Sequence, residues 1–204
     1  KASAAQPVRL YYADFDHNGR KEQVLTYYLQ NKEIPFANKA ELEKQMPILK
    51  KKFLYAADFA KASLQELFGS KELDDAGKWS ADYFSSVVLI NKGNLQFAIE
   101  PLPFEAQLSP LKAAVPVDAD GNNLPDFLVG GNYYGNNIEM GRYDASYGQL
   151  LINKGAGRFD VQAIPGLTIT GEVRYIRGVR VAGRQCFLVV RNNGSALLID
   201  FAGK

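Results

Sequence analysis

The chain has 204 residues, enough for a substantial core, and its 24 basic and 22 acidic residues leave a net charge of +2. So even a balance argues against nucleic acid, which calls for a concentrated basic face. No apolar run approaches the length of a membrane-spanning helix, and a single cysteine and a single histidine exclude a disulfide framework and a histidine-rich metal cluster.

Residues 1–7, rich in Ala, Ser and Gln, read as linker, and the missing initiator Met reads as a sign of a processed or excised chain. From Val8 the sequence becomes β-prone and soon reaches a short acidic loop, Asp14-Phe-Asp16-His-Asn18-Gly19-Arg20-Lys-Glu22. Oxygen-bearing side chains fall at positions one, three, five and nine, and the carbonyl of Arg20 at position seven can complete a ring. Calcium takes about six to eight oxygens in irregular geometry, so this spacing suits it. Gly19 supplies the sharp turn at position six. An EF-hand is excluded: position twelve is Leu25 rather than Glu, and the β-prone Gln23–Leu29 follows in place of a helix.

The stretch from about 38 to 78 is rich in Ala, Leu, Lys and Glu and carries no β alternation. Asn38 with Glu41 predicts a capped helix start, Pro47 an interruption, and a second helix is expected over Asp58–Phe68 with Gly69 as its stop. A helical pair inserted into a β unit reads as a surface elaboration. Leu89-Ile-Asn91-Lys-Gly93 then predicts a hairpin turn between two strands.

The formula then repeats. Asp118-Ala-Asp120-Gly-Asn122-Asn123-Leu124-Pro-Asp126 matches the first loop position by position, with Leu124 as the carbonyl donor, and Leu151-Ile-Asn153-Lys-Gly155 matches the first hairpin. Each unit reads as strand, acidic loop, two strands, hairpin turn, strand: the pattern of a four-stranded propeller blade. A third, partial unit begins near Glu172, with a tight Ala182-Gly183-Arg184 turn where the acidic loop would be. The expected fold is therefore all-β with a small helical insertion, a partial β-propeller of about three four-stranded antiparallel blades. Its domain spans 8–204: a blade over 8–104 carrying the insertion, a blade over 111–165 and a partial blade over 172–202. A propeller closes with about four to eight blades, so the remainder is expected in the parent chain or through self-association.

These loops and the segment from Asp118 to Phe159, with Gly141-Arg142-Tyr143-Asp144 inside it, resemble the FG-GAP/VCBS repeat proteins, bacterial members of which are often associated with ASPIC/UnbV segments. Integrin α-subunit heads use similar blades. The resemblance runs from about Val8 to Phe201. It implies two calcium sites, at Asp14, Asp16, Asn18, Arg20 and Glu22 and at Asp118, Asp120, Asn122, Leu124 and Asp126. Glu22 stands where the family pattern has Asp, and Asn123 where it has Gly.

Beyond calcium, Tyr133, Tyr134, Asn136, Arg142, Tyr143, Asp144 and Tyr147 combine rings, amides and a guanidinium, the groups that read a sugar. The same residues also suit inter-sheet packing, with Arg142 and Asp144 as a local pair. Arg174, Arg177, Arg180, Arg184 and Arg191 could hold an acidic polysaccharide, although odd and even positions cannot share one strand face. His17 sits at an outward-pointing loop position, and Cys186 falls in an apolar strand. No nucleophile–base pair is evident. The expected function is thus a calcium-stabilised, non-catalytic module of an exported protein (secreted, periplasmic or cell-surface), serving adhesion or protein or glycan binding. The alternative is a propeller-based carbohydrate lyase or hydrolase, with Glu139 or Asp144 as its acid or base.

Overall fold

The computed structural model describes residues 2–201 and is mostly β. Lys1 of the expected linker, and Ala202 at the end of the expected partial blade, lie outside the described residues. The chain divides into two compact units, Lys1–Phe84 and Ser85–Lys204.

In the first unit, β1 (Val8–Ala13), β2 (Glu22–Leu29), β3 (Lys32–Pro35) and β4 (Gly77–Ala81) form one antiparallel sheet in the order β3-β2-β1-β4. Along β2 the buried residues Glu22, Val24 and Thr26 alternate with the exposed Gln23 and Leu25. That period of two turns one face toward a core. The segment read as linker is tied down, with a turn closed between Ser3 and Gln6 and the Gln6 amide 2.6 Å from Asn31 Oδ1.

Between β3 and β4 run five short helices: α1 (Lys39–Gln45), α2 (Ile48–Lys52), α3 (Ala56–Lys61), α4 (Leu64–Phe68) and α5 (Ser70–Asp75). The expected capping box forms at Asn38 and Glu41, and Pro47 separates α1 from α2. The single helix expected over Asp58–Phe68 is instead two. Ser63 starts a new helix with its own capping box to Glu66, which gives the exposed backbone N–H groups a better partner than a continued helix would. The expectation of a surface elaboration is also corrected. Leu42, Met46, Leu49, Leu64, Leu67, Phe68 and Leu73 from the helices pack with Tyr11, Phe15 and Val24 of the sheet side, so the helices supply most of this unit's core. At about 1.5–3 kcal/mol per buried large apolar side chain, the sheet could not keep its inner face dry without them.

The second unit begins with a hairpin, β5 (Val87–Gly93) and β6 (Gln96–Pro101). This is the hairpin expected to complete the blade over 8–104, and here the structure departs from that reading. It pairs only with itself, because β3 and β4 occupy both edges of the β1–β2 pair. Next, β7 (Leu111–Val117), β8 (Asp126–Gly131), β9 (Gln149–Asn153) and β10 (Phe159–Ala163) form a meander in the order β10-β9-β8-β7. Finally β11 (Glu172–Val181), β12 (Arg184–Asn192) and β13 (Leu197–Asp200) form a three-stranded sheet, with the buried free thiol of Cys186 in β12.

The meander is covered on both faces. Leu128, Leu150 and Ile152 pack against Val173, Ile176, Phe187 and Val189 of the three-stranded sheet. On its other face Val129, Leu151 and Phe159 pack with Leu102, Ala106 and Val88. Gly130 lets the two sheets close, since a Cβ there would stand 3.2 Å from Val173. β8 is accordingly buried almost end to end, and its two ends carry the candidate sites.

Candidate functional site

The β1–β2 loop and the β7–β8 loop share most of their wiring and differ in one amide, position five in the first and position four in the second. The carboxylate of Asp14 accepts from the backbone N–H groups of Asn18 (3.0 Å) and Gly19 (2.8 Å), and that of Asp118 from Gly121 (2.8 Å) and Asn123 (3.3 Å). The amide oxygen of Asn18 accepts from Arg20 N–H at 2.8 Å, and that of Asn122 from Leu124 N–H at 2.7 Å. The position-nine carboxylate reaches back to the position-two amide, Glu22 to Phe15 at 2.9 Å and Asp126 to Ala119 at 2.8 Å. Positions four and six are left-handed in both loops: His17 and Gly19 with φ of 58° and 84°, Gly121 and Asn123 with φ of 76° and 64°. The turn at position six was expected; the one at position four was not, although Gly121 is its signal.

This wiring gathers carboxylates. Ligand atoms of Asp14, Asp16 and Glu22 lie within 4.8 Å of one another, as do those of Asp118, Asp120 and Asp126. The position-nine carboxylate is buried in each, Glu22 at 6% exposure and Asp126 at 0%. Burial above all, then the charges of Asp16 and Asp14, pushes the Glu22 carboxyl above the usual carboxylate range. One oxygen of Asp16 is itself buried with no hydrogen-bond partner, which suits a bound cation. Asn18 with Arg20, and Asn122 with Leu124, close the turns that carry the carboxylates. His17 is 74% exposed, as expected, and its Nε2 stands 3.2 Å from Glu72.

Asp126 does something no spacing announced. Its second oxygen accepts from Asn153 N–H at 2.7 Å, while the Asn153 amide donates to Pro125 O at 3.1 Å. The acidic loop is thereby pegged to the β9–β10 hairpin. Asn153 belongs to the repeated Leu-Ile-Asn-Lys-Gly segment, which in both copies turns through the Asn side chain onto the Gly amide at 2.8 Å.

At the far end of β8, the loop holding the sugar-reading candidates is built on buried Asn132. Its side chain accepts from Ser109 Oγ and Ser146 N–H and donates to the carbonyls of Ser146 and Gly171. Tyr133 and Tyr143 pair through their backbones at 2.9 Å in both directions. Of the seven candidates, Tyr133, Tyr134 and Arg142 line a cavity of about 600 Å³. Asn136 braces the loop by donating to Gly141 O, and Asp144 and Tyr147 lie outside the cavity lining. The Arg142–Asp144 pair does not form; Arg142 lies over the Tyr134 ring, 4.8 Å from its centroid.

The opposite wall is Glu172, Arg174, Arg191 and the Asn192–Gly194 turn. Two members of the arginine series therefore meet the tyrosine loop. The parity argument holds within one strand, but Arg174 and Arg191 come from paired strands whose register shifts between Val173 and Tyr175. Arg184 instead pairs with Asp200 at 2.8 Å. Glu172, 4% exposed, accepts from Asn192 Nδ2 (2.7 Å) and Tyr134 N–H (3.1 Å). The Asn192 hydrogen bond, followed by that of Tyr134, holds its carboxyl below the usual range.

The chain matches no family model, no curated protein and no solved structure. The class that its fold and sites define is a mostly β protein with two acidic loops of closely similar wiring. Among the described residues, no helix is long and apolar enough to cross a membrane.

Proposed function

We propose that the chain is a calcium-stabilised, non-catalytic β module of an exported protein, built on FG-GAP/VCBS-like repeats, that displays a ligand-binding cleft. The observation that carries the reading is the matched wiring of the two loops. Two loops of different sequence converge on one arrangement of three carboxylates, one of them buried, which costs stability unless a cation neutralises it. All-oxygen ligands and irregular geometry favour calcium over a borderline metal. Calcium is plentiful outside the cytosol, where loops of modest affinity fill, and this supports export. The face-to-face stacking of antiparallel sheets in the second unit supports reading them as successive propeller blades. Among the described residues Glu172 is the one carboxylate lining the cleft, and hydrogen bonds from Asn192 and the Tyr134 amide favour its ionised form. A charged, hydrogen-bonded carboxylate suits ligand binding better than proton donation.

The test is thermal unfolding and titration calorimetry with calcium, with magnesium as control. A ligand at 100 times its Kd stabilises the fold it binds by about 2.7 kcal/mol. Calcium should raise Tm by several degrees, and Asp14→Ala and Asp118→Ala should each remove one binding step. A Tm indifferent to both millimolar calcium and EDTA overturns the reading.

A further inference from the structure

The cleft between the Tyr133–Arg142 loop and the β11–β12 sheet holds more positive charge than its own structure uses, and we infer that it binds an acidic saccharide, recognising a uronate carboxylate with Arg142. Among the described residues three guanidinium groups line it, Arg142, Arg174 and Arg191, against the single carboxylate of Glu172. That carboxylate is already engaged: it takes hydrogen bonds from Asn192 and the Tyr134 amide, with Arg174 at 3.4 Å. Two cations are then left without a counter-charge.

They are prepared differently. Arg191 donates to Ser195 O at 2.8 and 3.0 Å and to Thr170 O at 3.0 Å, so carbonyls fix its position while its charge stays uncompensated. Most of its five N–H donors are spent, and it contributes field rather than a fork. Arg142 forms no ion pair among the described residues and rests on the Tyr134 ring, with its planar fork free. A guanidinium so stacked has fewer orientations to lose when it meets a carboxylate in bidentate geometry.

The rest of the cleft selects what carries that carboxylate. Its volume of about 600 Å³ falls in the range of small-ligand sites, roughly 300–1,000 Å³, and exceeds what a lone inorganic anion needs. Its walls are the Tyr133 and Tyr134 rings and the Asn193 turn, groups that stack on a ring face and bond hydroxyls. An oxyanion on a hydroxylated ring fits both the charge and the walls. Lys112, 5.2 Å from the centroid of the Tyr133 ring, adds a further positive charge beside it.

This inference rests on the ligand-display part of the proposed function and is independent of calcium. The experiment is calorimetric titration of the full chain with an oligogalacturonate, a neutral gluco-oligosaccharide of equal length and inorganic phosphate. The oligogalacturonate should bind saturably and more weakly at high salt, with the neutral oligomer and phosphate at least tenfold weaker. Arg142→Ala should lower affinity at least tenfold, and Arg142→Lys, which keeps the charge and loses the fork, several-fold. An unchanged Kd in Arg142→Ala, equal binding of the neutral oligomer, or phosphate binding as tightly as the oligomer overturns it. Because Arg142 is exposed, its variants should unfold like the wild type. Calcium stabilisation without uronate binding would sink this inference alone; uronate binding with no calcium response would sink only the calcium reading.

Discussion

Asp126 is the point at which one substitution should disturb both a candidate metal site and the sheet behind it. Its carboxylate is fully buried and accepts two backbone N–H groups, Ala119 at 2.8 Å and Asn153 at 2.7 Å. Asp126→Ala strands both donors. A donor left without a partner costs about 1–3 kcal/mol, and since both amides are only partly buried, the lower half of that range applies. At about 1–2 kcal/mol for each of the two donors, the expected loss is about 2–4 kcal/mol in calcium-free buffer. Asp126→Asn keeps one acceptor and turns an amide toward the other donor, so about half of that loss should remain. With a urea m-value of about 1–3 kcal/mol/M, the unfolding midpoint should fall by roughly 1 M for the alanine variant. Hydrogen exchange reads the cause: the Ala119 and Asn153 amides should exchange faster together, although one lies in the β7–β8 loop and the other at the end of β9. Asp118→Asn, which touches only loop amides, should leave Asn153 protected. Calcium should restore neither Asp126 variant. If Asp126→Ala unfolds at the wild-type midpoint with Asn153 still protected, the peg is not what joins loop to hairpin.

Two further outcomes are expected. The Glu172 carboxyl is held below its usual range, chiefly by Asn192, so it stabilises the fold above the unfolded carboxylate pKa and stops doing so as pH falls through its own lowered value. Glu172→Gln should therefore be less stable than wild type at neutral pH and converge with it in acid; parallel stability–pH curves would count against this. Ser63→Ala removes the cap that separates α3 from α4 and should cost about 1 kcal/mol in urea unfolding. No change there would mean that packing of Leu64, Leu67 and Phe68 alone sets the break.

What the chain wrote into itself locally was legible. The acidic loops close through hydrogen bonds spanning at most eight residues, as in Asp14 to Gly19 and Glu22 to Phe15, so their spacing alone dictates the carboxylate clusters. The same holds for the capping box at Asn38, the interruption at Pro47 and the Asn-Lys-Gly hairpins. Ser63-x-x-Glu66 carries an equally local signal, outweighed there by the apolar pattern running through it.

Tertiary structure decided the rest, because strand-edge pairing and burial depend on partners distant in the chain. Nothing in Val87–Pro101 reveals that β3 and β4 have already taken the edges beside β1 and β2, which leaves that hairpin to pair with itself. Helix composition indicated helices, but only the exposed apolar face of a four-stranded sheet made them core. The cleft is the clearest case: Arg142, on the loop after β8, meets Glu172 and Arg191 of the three-stranded sheet at one cavity. Charges that converge in this way leave no periodic trace in the sequence.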